Sequence, residues 1–164
     1  MLIGAEELYV AAAVGLIGKF SLRKINSFWL HSLINLPATI AHEAAHLVMA
    51  LITLAKPVSF SIIPRRDGNT WVFGSVQCAR LTQFNAFPVA MAPLLLLLIP
   101  YILSENLKGM PLSAPEVATI YLATALVCLA AIPSGQDFKV AASKWFGSAA
   151  WILAIGYGVL SSGA

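Results

Sequence analysis

Ala41-His42-Glu43-Ala44-Ala45-His46 carries the residue types that can do chemistry in this chain. On a helix, His42 and His46 face the same way with Cβ atoms roughly 6 Å apart, a reach one zinc ion can bridge. Glu43 points about 100° round the helix, where it meets a water on such a metal rather than the metal itself. That is the His-Glu-x-x-His arrangement of zinc hydrolases. The chain has only three histidines and seven acidic residues, so a chance match to this spacing is rare.

The element that must position these groups is a long apolar run from Phe28 to Ala55. Placed at 100° steps, His31, Asn35, Thr39, His42, Glu43, His46 and Thr53 fall within roughly a third of the circumference. Polar groups at membrane depth face the protein interior or a water-filled cavity, so this stripe is expected to line the active cavity. Pro37, five residues before His42, removes a backbone donor and predicts a kink ahead of the motif.

The chain has 164 residues, room for one domain and not two comfortable ones. Hydrophobic residues make up 59% and charged residues 10%, against roughly 45–50% and 25% in soluble domains. Mean hydropathy is +0.83, and a water-soluble core of this size cannot absorb so much apolar surface. The net charge of +3 comes from Lys and Arg lying mostly between apolar runs. They read as loop charges that set topology, and no basic cluster is dense enough for nucleic acid. Cys78 and Cys128 fit no metal or redox spacing and read as packing residues.

Leu2 to Ile17 is apolar but short, and reads as either a transmembrane or an interfacial helix. With Glu6 and Glu7 at its start and Lys19, Arg23 and Lys24 after it, it lacks the charge order of a cleavable signal peptide. Phe28 to Ala55, Phe87 to Leu103 and Glu116 to Ile132 read as spans, and the apolar segment through Leu160 as a further one. Between the first two, Val58 to Ile63 and Thr70 to Gln77 read as strands, with Pro64 to Asn69 as a six-residue turn. This hairpin either offers an open edge to an extended peptide or simply packs on the helices. Trp71 and Phe73 on its second strand, with Asn85 beyond it, are the candidate substrate contacts; the other reading of Asn85 is a helix cap. Trp29, Tyr101, Tyr121 and Tyr157 fall near one membrane face under strict alternation. The opposite face has the larger share of basic residues, which would make the hairpin side cytoplasmic.

A catalytic zinc takes three protein ligands and keeps one position for water. His31 lies about 16 Å along the helix from His42, too far to share an ion. Glu6, Glu7, Glu105 and Glu116 sit near span ends and Asp67 in the hairpin turn. Asp137 is the best candidate, because it lies in the break Pro133-Ser134-Gly135-Gln136-Asp137. Irregular backbone at membrane depth is tolerated where it lines a cavity, and a carboxylate there is costly unless it is paired or binds metal. The competing reading is that Asp137 caps the last helix, with Ser134 as a second capping residue.

The His42-to-His46 helix, the hairpin after it and the break ending at Asp137 together resemble the catalytic core of the site-2 protease family of intramembrane zinc metalloproteases. The resemblance implies that His42, His46 and Asp137 bind zinc, that Glu43 activates the water, and that the hairpin helps to hold the substrate. It covers the order of elements over most of the chain, and only the first motif is specific. Phe138 stands where the family has glycine, the usual asparagine before the proline is missing, and no PDZ-like or nucleotide-sensing domain is present. These departures suggest a minimal or divergent member.

The expected fold class is a mainly α membrane protein in one domain over residues 1–164. Four to five transmembrane or membrane-associated helices are expected, with a β-hairpin inserted after the zinc-binding helix. The expected activity is hydrolysis of peptide bonds in or near the transmembrane segment of a membrane-protein substrate, with Zn2+ as cofactor. The bilayer, and not nucleic acid, is the expected surroundings, and a multi-pass protein of a prokaryotic cytoplasmic membrane the expected location. Two other classes remain open: a metal or proton transporter using the same stripe as a relay, and a non-catalytic protein that binds partner helices.

Overall fold

The structure, a computed structural model, describes residues 28–68 and 70–163, together with Val10 and Ala13. Apart from those two, the first apolar segment lies outside the described residues. Helix α1 spans Phe28–Ile52 with Pro37 inside it. Ala55 N–H bonds back to Ala50 O at 2.8 Å, with Leu54 at φ +54°. This is the usual way to close a helix end, with leucine in the left-handed position that glycine normally takes. Lys56 is also left-handed, at φ +54°. The two reverse the chain around the buried Ala55 and send it into the hairpin.

Strands β1 (Pro57–Ser61) and β4 (Ser75–Cys78) pair antiparallel, as do β2 (Arg65–Asp67) and β3 (Thr70–Val72). Asp67 pairs with Thr70, so only two residues lie in the turn, and Gly68 takes φ +57° there. The six-residue turn expected from Pro64 to Asn69 is therefore corrected: Arg65–Asp67 is strand. Pro64 stands beside the break between the two ladders instead, because it cannot donate to a ladder. Opposite it lie Phe73 and Gly74, between β3 and β4. Backbone bonds from Ala79 N to Lys56 O and from Arg80 N to Ala55 O anchor the hairpin base to the end of α1.

Helices α2 (Ala86–Met91) and α3 (Leu98–Leu107) are joined by a 3₁₀ stretch over Ala92–Leu97, with Pro93 at its start. The helix thus runs past the expected end at Leu103. Helix α4 (Ala114–Ala130) opens on a reciprocal cap in which Ser113 and Glu116 each bond the other's backbone N–H. Helix α5 (Gly135–Ser143) follows at a 42° bend, and α6 is Trp145–Ser162. The apolar C-terminal segment is therefore two helices, parted at Lys144. Helix α1 packs on α2, the 3₁₀ stretch, α4 and the hairpin base, while α2 packs on α5 and α6.

Among the described residues, Ala86–Leu107 and Trp145–Ser162 are long and apolar enough to cross a membrane. The bent pair Ala114–Ala130 and Gly135–Ser143 makes three if counted as one span. Helix α1 is longer than either, but its polar stripe keeps it out of that class by composition. The burial pattern reverses that of a water-soluble domain. Buried positions are mostly alanines and polar groups, including Ser32, Glu43, His46, Asn85, Thr124 and Asp137. Leu33, Ile34, Val48, Leu51 and Ile52 of α1 are exposed, and so are most large apolar residues of α3 and α6. Small residues inside let the helices approach closely.

Candidate metal centre

One helical turn of α1 presents His42 and His46, their rings nearly perpendicular with centroids 4.7 Å apart. The Nε2 atoms lie 3.2 Å from each other. Asp137, in the first turn of α5, closes the triangle: Oδ2 is 3.3 Å from His42 Nε2, and Oδ1 is 3.1 Å from His46 Nε2. One donor atom from each of the three residues falls within 4.8 Å of the others.

The remaining ring nitrogens decide what this cluster can hold. His42 Nδ1 is 2.7 Å from Ala130 O, and His46 Nδ1 is 2.7 Å from Val89 O. A carbonyl only accepts, so each Nδ1 carries a proton, and in the neutral ring this turns the Nε2 lone pair inward, as a metal ligand requires. Two Nε2 lone pairs and a carboxylate facing one another repel unless a cation, a proton or a metal ion, lies between. Metal–ligand bonds of about 2.0–2.1 Å in a tetrahedral site put donors about 3.3 Å apart; the two Nε2 atoms are 3.2 Å apart, and Asp137 meets the two rings with different oxygens. His42, His46 and Asp137 are thus close enough to hold a metal ion, and their donor chemistry fits one.

Asp137 is also a cap. Ser134 N–H donates to Asp137 Oδ2 at 2.6 Å, and Asp137 N–H donates to Ser134 Oγ at 3.3 Å. Ligand and cap were competing expectations, but one carboxylate has lone pairs for both. The cap orients the group that faces the histidines.

Glu43 is buried, at 7% relative exposure, and close enough to His46, His42 and Asp137 to interact with their charges. Its wall on the hairpin side is Gly74. A Cβ at Gly74 would lie 2.6 Å from Glu43 Cγ and 2.7 Å from Oε1. The break between the two ladders is therefore where the hairpin backbone presses on the glutamate.

Trp71 lies exposed on β3, and Phe73 half-buried in the break beside Gly74. Asn85 starts α2 without capping it by its side chain. Its Oδ1 instead accepts from Thr82 N at 2.7 Å, and its Nδ2 donates to Arg80 O at 3.0 Å and Thr53 O at 3.4 Å. It ties the end of α1 to the segment after β4. His31 is in α1, eleven residues before His42. Glu105 pairs with Lys108, Glu116 caps α4, and Asp67 is in β2. Glu6 and Glu7 lie outside the described residues. Burial pushes the Cys78 thiol up, away from nucleophilic reactivity.

The carbonyls of Val89 and Ala130 and the close approach of Gly74 have no counterpart in the expected site. Backbone acceptors leave no side-chain signature; the available signal was that both carbonyls lie at helix breaks, one at Pro93 and one at Pro133. Comparison with protein-family models, curated proteins and solved structures finds no match.

Proposed function

We propose that the protein is a multi-pass, membrane-embedded zinc metalloprotease of the site-2 protease kind, cutting a membrane-protein substrate in or near its transmembrane segment. The observation that carries this reading is the triangle of His42, His46 and Asp137 with a buried glutamate one residue from the first ligand. A metal ion held there supplies Lewis acidity, polarising a carbonyl and acidifying a water. Glu43 then takes a proton from water and passes it to the leaving amine. Burial of the carboxylate shields that transfer from bulk solvent. The Nδ1 bonds to Ala130 and Val89 fix the imidazoles against rotation, and the Ser134 cap does the same for Asp137.

The outward-facing leucines and isoleucines of α1, α3 and α6 support placing the chain in a bilayer. A transmembrane substrate must unwind locally before its carbonyls are free, and the hairpin lies beside Glu43 to receive the released strand. Trp71 and Phe73 would contact it there.

The test is cleavage of a single-span substrate by purified protein in lipid nanodiscs loaded with zinc. Glu43→Gln is expected to keep one zinc and lower kcat by about 10²–10⁴-fold, whereas His42→Ala loses both zinc and cleavage. Undiminished cleavage by Glu43→Gln would sink the assignment. Capture of the substrate without turnover by the wild type would favour the non-catalytic reading, and zinc flux into proteoliposomes the transporter.

A further inference from the structure

In a continuous α-helix the Val89 carbonyl would accept the N–H of the residue four ahead. That residue is Pro93, which has none. The chain passes into the 3₁₀ stretch, where Ala92 N–H bonds to Val89 O, and the same oxygen meets His46 Nδ1 at 2.7 Å. A carbonyl has two lone pairs and serves both donors. At His42 a different device has the same result. Ser134 N–H, which a continuous helix would give to Ala130, is held by Asp137 Oδ2 at 2.6 Å, and Ala130 O meets His42 Nδ1 at 2.7 Å. Each imidazole is anchored on a carbonyl that lies at a helix break.

We propose that Pro93 is a positioning residue for the metal centre: lacking the N–H of a regular helical bond, it turns the chain into the 3₁₀ stretch, in which Val89 O takes Ala92 N–H with one lone pair and presents the other to His46 Nδ1, keeping His46 Nε2 aimed at His42 and Asp137. The proposal rests on the metal-centre reading and is independent of whether the protein cuts peptide bonds. Pro93 is also fully buried, so its ring packs as well as interrupting the helix. The two contributions separate in a matched pair of variants.

Pro93→Ala restores the N–H. Replacing Pro93 by lactic acid puts the same methyl side chain on a backbone ester that has no N–H. Both are prepared as full-length chains in nanodiscs. The deciding readout is the protonated nitrogen of His46 in metal-free protein, taken from histidine 15N shifts. The second readout is zinc affinity, by competition with a chelating dye. Pro93→Ala is expected to lose the predominance of the Nδ1–H form and to bind zinc about 10–100-fold more weakly. The lactate variant is expected to stay near the wild type in both. A wild-type-like Pro93→Ala, or a lactate variant as impaired as the alanine one, would overturn the proposal, the latter assigning Pro93 to packing alone. A wild type that binds no zinc would instead defeat the metal centre, with the His46 pattern still deciding the role of Pro93.

Discussion

Glu43 and Gly74 meet at a distance that leaves no room for a methyl group. The atoms a Cβ would strike belong to the flexible Glu43 side chain, so Gly74→Ala should displace the carboxylate without unfolding the hairpin. A misplacement of about 1 Å at a reacting group can cost about 10²-fold in rate. Gly74→Ala is therefore expected to keep zinc stoichiometry and Tm, and to lose kcat by about 10–100-fold in the nanodisc cleavage assay. Unchanged turnover would mean that the hairpin does not restrain Glu43. Neither partner is surprising alone, since a glutamate beside His42 is part of the motif. The glycine that fits against it is 31 positions away and carries no mark of its role in the sequence.

At the scale of elements, the site is built where helices stop. Helix α1 supplies the two histidines from one unbroken turn, and the carbonyls that orient them come from breaks elsewhere: the 3₁₀ stretch at Pro93 and the bend between α4 and α5. Ser134 links the helix cap to the ligand. Removing its hydroxyl gives up the bond from Asp137 N–H, and the loss of such a cap typically costs about 1 kcal/mol. It also loosens the residue that holds Asp137. Ser134→Ala should lower Tm and weaken zinc binding about 10-fold or more, as measured by melting and by chelator competition. If stability falls while zinc affinity stays, the cap and the ligand are independent. The hairpin shows the same lesson from the other side. The hairpin was legible from Val, Phe and Trp alternation, but its strand Arg65–Asp67, its break at Phe73 and Gly74 and the position of its turn were not. Pro64 and Gly68-Asn69 are both turn signals, and only the Asp67–Thr70 pairing decides between them.

Across the whole molecule, polar groups inside and large apolar groups outside make two demands of the surroundings. Two imidazoles and a carboxylate crowd together in the interior, where a metal ion would relieve the repulsion of their lone pairs. Zinc at about 100 times its Kd should stabilise the fold by about 2.7 kcal/mol, read as a rise in Tm that His46→Ala abolishes. Equal melting with and without zinc would argue against a bound ion. The exposed apolar helices call for lipid, so the chain should stay in the membrane pellet after alkaline carbonate extraction. Release into the supernatant would remove the bilayer from the proposal.

His42, Glu43 and His46 were readable because a ligand pair four residues apart depends only on helical geometry, which is local. The mainly helical class and the hairpin were readable for the same reason, from apolar runs and strand alternation. Asp137 lies 91 residues beyond His46, and the sequence offered it as ligand or cap without deciding. The tertiary structure shows the cap and also brings the carboxylate beside both histidines, close enough to share a metal ion with them. The protonated nitrogen of each histidine also depends on distant backbone, the carbonyls of Val89 and Ala130. Both carbonyls lie where helices break beside α1. The ligands are a local property of the chain; their orientation and charge state depend on how distant segments pack.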